Sequence, residues 1–114
     1  MELFHKILKT AVEGGASDVH IKPDAPVVYR ISSQLVETQM NQQPAEQWLG
    51  NVIENIVPQQ FKTKLNDERE IDVSYHVPGI GRFRTNCFQH LGQWCLAMRY
   101  VIAEVHKIDS LGLP

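Results

Sequence analysis

The sequence has few of the residues that would staple or metallate a fold. Cys87 and Cys95 are the only cysteines in 114 residues and no Cys-x-x-Cys occurs, which excludes a disulfide-rich scaffold or a zinc knuckle as the organising feature. The histidines stand at 5, 20, 76, 90 and 106, with no i, i+4 pair of the helical zinc kind, so no metal site is expected. No apolar run approaches the roughly 20 residues of a membrane helix. The opening MELFHKILK lacks the apolar core of a secretory signal, and a cytoplasmic domain is expected. Excess charge of either sign is missing, with 11 Lys and Arg against 13 Asp and Glu; a nucleic-acid partner is therefore not expected. Gly-x-Ser-x-Gly and His-Glu-x-x-His are absent, and so is the phosphate-cradling Gly-x-x-x-x-Gly-Lys. The chain by itself is not expected to be an enzyme, to contain catalytic residues or to hold a cofactor.

What is present is pattern. In EIDVSYHV, Ile71, Val73, Tyr75 and Val77 alternate with Glu70, Asp72, Ser74 and His76, the period of two of a strand with one buried and one solvated face. Phe83 and Cys87 then oppose Arg82, Arg84 and Asn86, and Trp94, Leu96, Met98 and Tyr100 oppose Gln93, Cys95, Ala97 and Arg99. Three antiparallel strands follow. A loop of Pro78, Gly79 and Ile80 keeps apolar against apolar, setting Tyr75 opposite Phe83, Ser74 opposite Arg84 and His76 opposite Arg82. A longer loop from Gln89 to Gly92 sets Phe83 opposite Met98, Cys87 opposite Trp94 and Arg82 opposite Arg99. Because Cys87 and Cys95 fall on opposite faces, they are expected as free thiols.

Arg82, Arg84 and Arg99 converge on the polar face. Like charges directly opposite on a sheet cost roughly 0.2 to 1 kcal/mol, so the cluster calls for an anion. Glu70 and Asp72, on the same face, can supply it as exposed ion pairs. A bound phosphate can supply it too, since guanidinium forks match phosphate oxygens in pairs. The pattern leaves both open.

Upstream, residues 2 to 14 read as an amphipathic helix with Leu3, Phe4, Ile7, Leu8, Ala11 and Val12 on one face, ended by Gly14 and Gly15. Strands follow at Asp18 to Lys22, Val27 to Ile31 and Gln34 to Glu37, the last two joined through Ser32 and Ser33. Pro44 opens a helix to about Val57, and Gln59 to Leu65 continues as a shorter one, with Asn66 and Asp67 turning the chain into the main sheet. The expected fold is α+β, an antiparallel-rich sheet covered by helices.

The segments GASDVHIKP at 15 to 23, VVYRISSQLV at 27 to 36, EIDVSYHVPGIGRFRTNCF at 70 to 88, AMR at 97 to 99 and IDSLGLP at 108 to 114 together resemble the N-terminal domain of the PilT-like retraction ATPases of type IV pili, in the secretion ATPase superfamily. The resemblance covers essentially the whole chain and favours the PilT and PilU branch. Leu91 stands where the family usually has a basic residue and Ser33 where it has glycine. The resemblance implies a PAS-like domain over residues 1 to 107, with 108 to 114 beginning the linker to a RecA-like ATPase domain. It implies a homo-hexamer, ATP and Mg bound by the full-length protein, and a location beside the inner membrane through the pilus platform machinery. It also implies that Arg84 and Arg99, with Arg82 as a supporting charge, approach the nucleotide phosphate. Asp18 and His20 match the family's ASDxH motif, where a structural and a functional role both stand open. Two further readings remain at this stage: a PAS-like sensory domain holding a small ligand, and a domain that only assembles the ring.

Overall fold

The computed structural model describes residues 1–38 and 44–101; the expected linker at 108 to 114 lies outside them. A helix, α1 (Glu2–Glu13), leads into strands β1 (Ala16–Ile21), β2 (Val28–Ile31) and β3 (Gln34–Glu37). Helix α2 (Glu46–Ile56), a 3-10 turn at Gln59–Phe61 and α3 (Lys62–Glu68) come next, followed by β4 (Glu70–Val77), β5 (Gly81–His90) and β6 (Gln93–Val101). The strands form one sheet in the order β3-β2-β1-β6-β5-β4, antiparallel at every pairing. The expected α+β fold is what forms.

Among the described residues the helices cover one face of the sheet. Phe4, Ile7, Leu8 and Ala11 of α1 recur at helical spacing and are buried, as are Leu49, Val52, Ile53 and Ile56 of α2. They pack on Val19, Ile21, Phe83, Cys87, Leu96 and Met98 from the sheet. Tyr29 ties the two layers, its buried hydroxyl donating to the Ile7 carbonyl at 2.7 Å. Leu3, expected on the buried face, is exposed, because it lies at the edge of the apolar stripe in the first helical turn. The turn into β4 is also one step later than expected: Asn66 and Asp67 stay helical, and Arg69, at φ 58°, makes the left-handed cap.

The first main hairpin has the expected register, with Ser74 opposite Arg84, Tyr75 opposite Phe83 and His76 opposite Arg82. The second differs. The chain reverses through Leu91 and Gly92 alone, both at positive φ (53° and 81°), the primed two-residue turn that suits the twist of a hairpin. The tighter turn moves the pairing by two residues: Phe83 faces Tyr100, Cys87 faces Leu96, and Arg99 faces Arg84 rather than Arg82. A shift of two preserves faces, so each side chain stays on its expected side of the sheet.

Candidate phosphate-facing site on the open sheet

The sheet face away from the helices carries the arginines. Arg84 of β5 sits between Ser74 of β4 and Arg99 of β6, and Arg99 sits between Arg84 and Asp18 of β1. Arg82 is one step along β5 on the same face, opposite His76 and Val101. All three arginines are exposed. The structure thus brings Arg84 and Arg99 together and leaves Arg82 at the margin. Asp18, Asp72, Arg84, Asn86, Ala97, Met98 and Arg99 line an open depression over β1, β4, β5 and β6.

The compensating charge comes from a different place than the alternation of β4 suggests. Glu70 and Asp72 both accept from the Asn86 side-chain amide, at 3.2 and 3.0 Å. Arg99 instead pairs with Asp18, Nε to Oδ2 at 3.5 Å. Arg84 makes no ion pair among the described residues. Asp18 was legible only as part of a motif; its alternation with His20 and Lys22 places it on the solvated face, but nothing in the local pattern says that β1 joins β6. His20 lies on that same face, opposite Val28 and Ala97.

The two adjacent guanidiniums carry donors only, and with the Asp72 carboxylate engaged by Asn86 and Asp18 by Arg99, the free donors suit an anion rich in oxygens. Among the described residues no group of His, Cys, Asp and Glu is arranged to hold a metal ion. Neither cysteine is poised as a nucleophile: burial, with the Asp72 charge behind it, pushes the Cys87 thiol up to about 12, and burial raises Cys95 as well. The interior is filled by Phe4, Leu8, Ile21, Leu49, Phe83, Leu96 and Met98, all fully buried, where a sensory domain would keep room for its ligand.

No protein-family model matches the chain, but curated proteins and solved structures are similar to it. The type IV pilus retraction ATPase PilT of Pseudomonas aeruginosa is 26% identical over 109 residues, covering 95% of this chain and 31% of its own length. The type IV pilus ATPase PilU of the same organism is 23% identical over 111 residues, covering 97% and 29%. Among solved structures, the pilus retraction motor PilT with bound ADP superposes with a TM-score of 0.81 at 32% identity, over 96% of this chain and 32% of that one. The ATPase DotB of Legionella pneumophila shares the fold, with a TM-score of 0.77 at 23% identity. In sequence the chain is thus similar to part of the PilT and PilU pilus ATPases, and in fold to part of the solved PilT structure. The chain spans about 31% of the length of the curated PilT it matches.

Proposed function

We propose that this domain works joined to a RecA-like ATPase domain as part of a hexameric type IV pilus retraction motor, and that it carries arginines to the nucleotide phosphate. ATP and Mg are held by the ATPase domain, because this chain has no lysine-bearing phosphate loop. The present chain contributes Arg84 and Arg99, with Arg82 as a nearby positive charge. Its partners are then its own ATPase domain, neighbouring subunits and the pilus platform on the cytoplasmic side of the inner membrane.

The observation that carries this reading is the direct opposition of Arg84 and Arg99 on a sheet face where both side chains are exposed among the described residues. Both side chains are exposed, and with only Arg99 partly neutralised by Asp18 the pair still favours an added anion. Phosphate oxygens fit both forks, and arginines placed on a transferring phosphoryl group stabilise the charge that develops there. Moving the domain toward or away from the nucleotide would then couple phosphate state to domain position.

The test is ATP turnover and nucleotide affinity of the polypeptide containing both domains, with Arg84→Ala, Arg99→Ala and the double change. Each single change is expected to lower kcat on the order of 10²-fold while nucleotide binding is largely kept. Unchanged turnover makes this face an assembly surface and ends the phosphate reading.

A further inference from the structure

Of the two opposed arginines, one has an ion-pair partner among the described residues and the other has none there. The Asp18 side chain is 13% exposed and that of Arg99 is 70% exposed, so the carboxylate is set into the sheet while the guanidinium projects above it. The other Asp18 oxygen, Oδ1, accepts from Ser17 Oγ at 2.7 Å. Each oxygen of the carboxylate therefore has its own partner. The pairing of β1 with β2 shifts between Ala16 and Asp18, an irregularity that re-aims the side chains beside it and puts the neighbouring Ser17 and Asp18 side chains in contact. Asp18 also faces Arg99 directly across the β1–β6 ladder. Contact through Nε leaves both Nη groups of Arg99 available as donors on the open side.

We propose that Asp18 is a positioning residue: fixed by Ser17 at the β1 irregularity, it holds the Nε edge of Arg99 so that the two Nη groups face an incoming phosphate. This rests on the phosphate reading of Arg99 and adds the device that orients it. Arg84 forms no ion pair among the described residues and reaches the phosphate as a second fork. A guanidinium held on one edge loses less freedom when its other edge binds, so the anchor acts on the step in which phosphate charge is stabilised.

The experiment is steady-state ATP turnover of the two-domain polypeptide carrying Asp18→Asn, Asp18→Glu, Arg99→Ala, and Asp18→Asn together with Arg99→Ala. Asp18→Asn is expected to lower kcat roughly two- to five-fold, the range of a partly exposed ion pair, with KM kept. Asp18→Glu should recover part of that loss, and the double variant should turn over no more slowly than Arg99→Ala alone. A further loss in the double variant shows that Asp18 acts through the fold, and overturns the proposal. Higher turnover in Asp18→Asn shows that the carboxylate competes with phosphate, and overturns it equally. The two readings separate cleanly: a loss in Arg99→Ala with Asp18→Asn equal to wild type sinks the anchor alone, whereas no loss in Arg99→Ala sinks the phosphate reading and the anchor together.

Discussion

Arg84 on β5 and Arg99 on β6 are directly paired across the ladder, and of the two only Arg99 forms an ion pair among the described residues, with Asp18. The sheet thus keeps a repulsive contact in which one partner is neutralised and the other faces solvent. Such a contact lowers the stability of the isolated domain. Arg84→Gln should therefore leave stability of the 114-residue chain unchanged or raise it, by up to about 1 kcal/mol, in urea unfolding. Because the pair is exposed, the gain should shrink with added salt. A clear loss of stability would mean that the Arg84 stem packs more than its charge repels.

The two tight turns in the sheet carry side chains where glycine or asparagine is at ease. Ser32 and Ser33 have φ of 53° and 68°, and Leu91 has φ of 53° beside Gly92. Leu91 is also 90% exposed, so its side chain contributes no packing that a replacement forfeits. Leu91→Asn is expected to stabilise by about 0.5 to 1 kcal/mol, and Ser33→Gly by a similar or smaller amount, because both relieve a left-handed backbone. Thermal unfolding of each variant against wild type checks this, and a loss in both would contradict the turn geometry.

That same turn explains where sequence reasoning succeeded and where it went astray. The alternation in β4, β5 and β6 is local, so the faces and the arginine surface were legible. The loop at Pro78, Gly79 and Ile80 announces itself by composition, and the register it fixes is the one that forms. A leucine in the left-handed region gives no such signal, so a longer loop was expected at Leu91 and the Arg99 partner was displaced by two residues. The Asp18–Arg99 pair needs β1 beside β6. That pairing joins the start of the chain to its last described strand, and no local periodicity encodes it. Competition for Glu70 and Asp72 was hidden for a related reason: the Asn86 amide lies directly opposite Asp72 on β5 and reaches both carboxylates.

Gly81 opens β5 at φ 146°, and a Cβ added there would lie 2.5 Å from Tyr100 Cε1. The aromatic ring covers the bare backbone, the arrangement by which a glycine in a strand is shielded. Tyr100 in turn packs on Phe83, ring centroids 5.5 Å apart. Gly81→Ala should destabilise by about 1 to 3 kcal/mol through overpacking and backbone strain. In a Tyr100→Ala background the same change should cost less, since only the strain remains. Equal costs in the two backgrounds would show that the ring yields freely.

The pH dependence of stability follows from the buried thiol. Burial first, then the Asp72 charge, raises Cys87 from its ordinary 9.0 to about 12, and burial also raises Tyr29. An acid with a higher pKa folded than unfolded keeps its proton in the fold while the unfolded chain loses it. The native state is thus penalised only above the unfolded value. Stability should hold, as far as Cys87 is concerned, up to pH 9.0 and then fall until the folded value near 12. The slope from this one group approaches about 1.4 kcal/mol per pH unit. Tyr29 acts in the same direction at higher pH. Cys87→Ala, although less stable at neutral pH by roughly 1 to 2 kcal/mol for the atom removed from the core, should lose stability less steeply as the medium becomes alkaline. Urea midpoints of both proteins at intervals between pH ~8 and ~11 decide it. Parallel curves would assign the alkaline loss to other groups and leave the Cys87 thiol ionising as readily in the fold as out of it.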